Sequence, residues 1–283
     1  MKNREFYLQD DGIAIHCKLD LPHRAADHAK SDSADHMETE PSAHEETGPA
    51  EKIRTGEKLP LLILFHGFTG HMEEDHLLAV MRAANEAGFA VLRAEMYGHG
   101  LTGGAVRDHT LFKWISNAMT VIDYARQLDF VTDLYLAGHS QGGLLTMLMA
   151  AMEGDRLKAI LPLSPAIVIP GGARGGELLG TPFDPDHIPE EMDTGKEGFV
   201  LGGNYIRAAQ MIDVDAAIRR YRGPVLLVHG SGDESVPVQC SIDAAAKYAD
   251  AKLVIIPDDT HCYDLHVDQL AEAVKDFLLT VSA

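Results

Sequence analysis

Cysteine is scarce in this chain: three residues among 283, Cys17, Cys240 and Cys262, odd in number and far apart. That is poor material for a disulfide framework and predicts a reducing compartment. Basic residues are short too, 24 Lys and Arg against 43 Asp and Glu, for a formal charge of −19. A field of that sign repels phosphate backbones and anionic lipid, and no compact basic stripe offsets it. Nucleic acid and membrane are therefore not expected as partners. Long apolar runs are missing as well: Leu61–Phe65 with its neighbours falls far below the ~20 residues that span a bilayer. The opening residues, MKNREFYLQDDG, lack the apolar stretch of a secretory leader, so the expected location is cytoplasmic.

What is present is an ordinary globular composition, 46% hydrophobic and 24% charged. A chain of this length buries a large core without a metal or disulfide staple, and α/β folds of this size often form one domain, expected here over 1–283. The start predicts a two-stranded ribbon, Glu5–Gln9 and Ile13–Leu19, turned at Asp11-Gly12. Residues 22–58 then carry nine acidic and five basic residues, four histidines and no aromatic ring. Such a stretch cannot bury enough surface to offset its ordering entropy, so an exposed, mobile acidic insertion is expected. Its histidines, His23, His28, His36 and His44, lack cysteines or a rigid element to fix them, and no metal site is expected there.

From Leu61 onward short apolar runs alternate with amphipathic stretches. Strands are predicted at Leu61–Phe65, Phe89–Arg93, Leu134–Ala137, Ala159–Leu163, Val225–Val228 and Leu253–Ile256, each read as buried on both faces. Helices are predicted at Glu73–Ala87, Leu111–Leu128, Gly142–Met152, Val238–Tyr248 and Leu265–Leu279. The alternation implies a mostly parallel sheet with helices on both faces, whose ligands bind at the carboxyl ends of the strands. The rhythm breaks over 165–212, a piece rich in glycine and proline that reads as an inserted cap.

The chemistry concentrates in Gly138-His139-Ser140-Gln141-Gly142. The motif follows the strand Leu134–Ala137 and opens a helical run, the strand–turn–helix setting of a nucleophile elbow. The glycines let the backbone crowd through a strained turn, and the helix N-terminus favours negative charge on a reacting group. Taken alone, the pattern also describes a tight turn with an idle serine. Serine is a weak nucleophile until a base takes its proton, and in this arrangement the acid and the base follow in the order Asp or Glu, then His. Asp233 lies just past the strand Val225–Val228, and His261 just past Leu253–Ile256. Both therefore share the rim of Ser140. Glu234 is the rival acid, and Asp258, Asp259 and Asp264 are weaker ones. An oxyanion hole would draw one backbone N–H from Gln141 and one from Phe68 in His66-Gly67-Phe68-Thr69-Gly70. His99, in Tyr97-Gly98-His99-Gly100, is given no catalytic task, and Cys262 is read as packing.

Together HGFTG, YGHG, GHSQGG and the Asp233 and His261 loops resemble the α/β-hydrolase superfamily across roughly 59–280. More narrowly, the chain resembles the bacterial cinnamoyl (feruloyl) esterases, including a cap with Pro185-Asp-His-Ile-Pro189 and Leu201-Gly-Gly-Asn-Tyr205. The resemblance implies an α/β-hydrolase fold, hydrolysis of small acyl or aryl carboxylic esters through an acyl-enzyme, and a substrate-binding role for Tyr205, whose hydroxyl would meet a phenolic acyl group. It implies no cofactor, and a small-molecule ester as partner; homodimer formation is left open. Three rival readings remain: a monoacylglycerol-lipase type, needing a longer apolar tunnel; a thioesterase, disfavoured on coenzyme A by the negative field; and an inactive binding module, disfavoured because no member of the triad is lost. Dehalogenase or epoxide-hydrolase chemistry on this fold uses an Asp nucleophile, against Ser140.

Overall fold

The computed structural model describes residues 2–22, 57–195 and 199–283. The chain opens with the antiparallel pair β1 (Lys2–Asp10) and β2 (Ile13–Leu21). Asp11 and Gly12 join them with φ of 47° and 80°, the left-handed turn that Asp-Gly favours. Then come β3 (Leu59–Phe65), α1 (Asp75–Glu86), β4 (Ala90–Ala94), α2 (Leu111–Arg126), β5 (Val131–His139), α3 (Gln141–Glu153) and β6 (Ala159–Leu163). After β6 the chain leaves the sheet for α4 (Val168–Gly175), the ribbon β7 (Glu177–Leu178) and β8 (Thr181–Pro182), a second ribbon of β9 (Glu191–Asp193) and β10 (Val200–Gly202), and α5 (Gly203–Gln210). It returns through α6 (Val214–Arg220) to β11 (Val225–Gly230), α7 (Gln239–Lys247), β12 (Ala251–Ile256) and α8 (Val267–Val281).

Eight strands form one sheet in the order β1-β2-β4-β3-β5-β6-β11-β12. The pairs from β4 to β12 are parallel, and the β1–β2 ribbon is antiparallel against β4. Alternate side chains of β3 enter different cores: Leu61, Ile63 and Phe65 meet Trp114, Ile122 and Leu145 of α2 and α3, while Leu62 and Leu64 meet Leu77, Val80 and Leu270 of α1 and α8. A strand buried on both faces must be apolar at every position, which is why β3 reads as a continuous run. α3 is buried from Gln141 through Ala150.

One expectation needs correction. The apolar run of β12 predicts burial on both faces, but the strand is an edge of the sheet, and Ile255 is 40% exposed. The segment 165–212, expected as an inserted cap, carries two helices and two ribbons whose spans are too short for periodicity to register. The acidic insertion and its four histidines lie, apart from the insertion's ends, outside the described residues. Among the described residues no helix is long and apolar enough to cross a membrane.

Candidate active site

β5 runs straight into the elbow. Ser140 sits at φ 54°, ψ −117° between the strand and α3, a conformation that costs of order 1–3 kcal/mol for a residue with a Cβ. Close approach explains the neighbouring glycines. A Cβ on Gly138 would stand 2.2 Å from the Gly142 carbonyl oxygen, and one on Gly142 would stand 2.4 Å from that of His66. The turn is held from outside as well: Ser140 N–H donates to Leu163 O at the end of β6, and Ala166 N–H donates to Ser140 O.

The structure brings the three expected side chains together. Ser140 Oγ lies 2.8 Å from His261 Nε2, and His261 Nδ1 lies 2.6 Å from Asp233 Oδ2. Asp233 has no exposed side-chain surface, whereas His261 is 18% exposed. The orientation of the carboxylate is fixed at its other oxygen, where Oδ1 accepts the N–H groups of Ser235 and Val236 at 2.8 Å each. Burial alone would raise the pKa of Asp233. Hydrogen bonds from His229 and His261, the nearby imidazole charge and the Val236 N–H outweigh it and hold the carboxyl well below the usual range.

His229 was missed in the sequence. Fully buried at the end of β11, it places Nε2 3.0 Å from Asp233 Oδ2 and its Nδ1 2.7 Å from Ser241 Oγ. The only sequence signal was its position four residues before Asp233, directly after an apolar run. The rival acids are engaged elsewhere or turned outward. Asp259 is buried and accepts N–H groups from Thr260, Leu265 and His266, shaping the His261 turn. Asp264 takes the Thr260 hydroxyl, and Glu234 is exposed.

That turn is pinned from below. Tyr263, at φ 59° and 1% exposed, donates its hydroxyl to Val228 O of β11 and receives that of Ser164. His139 Nε2 donates to His261 O at 2.8 Å. His139 is buried, and burial with neighbouring His76 and His261 drives its pKa well below the ordinary histidine value, so the ring stays neutral.

The oxyanion-loop candidate lies across from the elbow. Thr69 N–H donates to His99 Nε2 at 3.1 Å, and Gly70 N–H to Gly67 O at 3.2 Å. His99 thus shapes the loop that carries Phe68. The Phe68 ring stacks on His109 (5.7 Å between centroids, 14° between planes) and meets Phe199 edge-on at 5.8 Å. Gln141 is the first residue of α3, so its N–H has no carbonyl of the same helix to receive it. Tyr205, on α5, is buried with its hydroxyl donating to Gln141 Oε1 at 2.7 Å. That hydroxyl, expected to face substrate, is therefore bound to a neighbour of the nucleophile. Burial raises its pKa.

Comparison with known proteins places this geometry. A family described as serine aminopeptidase, S33, matches residues 56–181. The structure of Est1E from Butyrivibrio proteoclasticus with ferulic acid bound is 48% identical, with 98% of this chain and 99% of that chain covered at a TM-score of 0.85. The palmitoyl-protein thioesterase ABHD10, mitochondrial, of Pongo abelii is 23% identical over 212 residues, which cover 70% of this chain and 65% of that protein's length. Mouse alpha/beta hydrolase domain-containing protein 10 is 18% identical at a TM-score of 0.70, with 98% of this chain and 99% of that chain covered, a likeness of fold. The parallel sheet, the elbow at Ser140 and an identity near one half sustained along both chains with Est1E lead to one assignment: the chain belongs to the α/β-hydrolase superfamily, in the serine-hydrolase family of Est1E.

Proposed function

We propose that the protein hydrolyses carboxylic esters through an acyl-enzyme on Ser140, with acids of the hydroxycinnamic type as its preferred acyl groups. The observation that carries the reading is the hydrogen-bonded line Ser140–His261–Asp233. His261 Nε2 takes the hydroxyl proton as Oγ attacks the ester carbonyl, and Asp233 stabilises the imidazolium and fixes its tautomer. The N–H groups of Phe68 and Gln141 receive the developing oxyanion. Collapse of the tetrahedral intermediate expels the alcohol, protonated by His261; water, activated by the same imidazole, then releases the acid. The acyl preference rests on the likeness to Est1E, whose structure holds ferulic acid, and on the partly exposed rings of Phe68 and Phe199 beside the elbow, which suit a flat aryl group. We read the excursion between β6 and β11 as the cap that supplies part of this wall.

A fluorophosphonate should label the protein at Ser140, and Ser140→Ala should lose both labelling and turnover. Methyl ferulate and its relatives should exceed p-nitrophenyl esters of long acyl chains in kcat/KM. Turnover retained in the alanine variant would end the mechanism, whereas a preference for long chains or for thioesters would end only the acyl assignment.

A further inference from the structure

The side chain of Gln141 is bound at both ends. Its Oε1 accepts the Tyr205 hydroxyl at 2.7 Å, and its Nε2 donates to His109 Nε2 at 2.8 Å. None of the three is more than 3% exposed. They come from three separate parts of the fold: Gln141 opens α3, Tyr205 lies on α5 in the excursion, and His109 precedes α2. His109 must be neutral to accept at Nε2; burial, with His99 adding to it, holds its pKa well below the ordinary value, and the proton resides on Nδ1.

This chain of bonds touches both proposed oxyanion donors. Gln141 supplies one of them from its own backbone. Phe68 supplies the other, and its ring stacks on His109 at 5.7 Å and lies 6.2 Å from that of Tyr205. Ser140 is in a strained conformation, and the peptide that joins it to Gln141 is held at its carbonyl by the N–H groups of Leu144 and Ala166. The Gln141 amide, anchored at both ends, adds a hold from the side-chain end of the same residue. We propose that Tyr205 and His109 are positioning residues: acting through Gln141, they form a buried strut by which α5, seated against the elbow, sets the oxyanion hole. The alternative is that the three rings merely fill space, or that the Tyr205 hydroxyl serves the substrate's acyl group. The inference rests on the reading of Ser140 as nucleophile.

Tyr205→Phe keeps the ring and removes one bond of the strut. With p-nitrophenyl acetate, which has no phenol on its acyl side, kcat should fall about ten- to hundredfold, below the ~10²–10³ that follows loss of a whole donor. KM should stay within about twofold, because the interaction is gained in the transition state. Gln141→Met should lose as much, and the double variant little more than either alone, since the two changes break one strut. His109→Gln, which can still accept from Gln141, should recover most of the rate lost in His109→Ala. An unchanged kcat on the acetate, a loss confined to KM for hydroxycinnamates, or fully additive losses would overturn the strut. Should Tyr205→Phe fail to fold, the His109 pair decides: equal rates in the two variants refute it. Fluorophosphonate labelling of the parent protein keeps the two readings apart. No label at Ser140 sinks the function, while labelling with a flat response in these variants sinks the strut alone.

Discussion

Replacing Asp233 with asparagine preserves volume and removes charge, and the surroundings dictate how the new amide must face. The Oδ1 position accepts two backbone N–H groups, from Ser235 and Val236, each at 2.8 Å. Only an oxygen satisfies both. The NH2 must then occupy the Oδ2 position, 2.6 Å from His261 Nδ1 and 3.0 Å from His229 Nε2. His229 can turn its proton to Val236 O, already 2.9 Å away. His261 has no such outlet: its Nδ1 must accept from the amide, which puts the proton on Nε2, facing Ser140 Oγ as a donor. The hydroxyl then meets no base. An asparagine in this role typically lowers kcat by about 10⁴, or roughly 5.5 kcal/mol at about 1.36 kcal/mol per decade. Steady-state hydrolysis of a soluble aryl ester near pH 7.5 measures it, with a thermal melt to show that the fold is kept. A loss below tenfold in a folded variant would refute the tautomer argument, and with it the assignment of Asp233.

Stability should fall in acid. Burial first, with His99 beside His66 and His261 beside His76, pushes their pKa values down to about 3 and about 4, against 6.5 for a free histidine. The unfolded chain binds these protons first, so this part of the stability is intact above pH 6.5 and is lost toward pH 4, at about 1.4 kcal/mol per pH unit per histidine. His16, raised despite its burial by hydrogen bonds to Glu95 and Glu5, pulls the other way as a single group; equal urea midpoints at pH 7 and pH 5 would contradict the balance. Asp20→Ala removes the Nε partner of Arg93, whose side chain is 3% exposed and bonded to Asp20 at 2.9 Å, and leaves Glu73 at 3.2 Å and Met72 O at 2.8 Å to hold the guanidinium. A loss of about 1–3 kcal/mol is expected, and calorimetry should show it as a drop in Tm of a few degrees. Gly142→Ala must push backbone against backbone at the end of β3. It should cost kcat on the order of 10²–10³ by shifting the oxyanion turn, and a crystal structure with that turn unmoved would count against it.

The order and rim of Ser140, Asp233 and His261 were legible in the sequence because each follows an apolar run at the carboxyl end of a strand, and local turn chemistry marks those ends. The same reasoning placed β1 and β2 through Asp11-Gly12. It misjudged β12, since an edge strand and an inner strand can share one apolar pattern and only the sheet order of neighbours separates them. It gave no sign of His229 beside Asp233, nor of the bond between the Tyr205 hydroxyl and Gln141. Periodicity and turn signals report what a residue does within about one turn of its own chain. Which side chain lies beside a carboxylate or an amide brought in from another strand is settled when the sheet closes, by contacts between residues tens of positions apart.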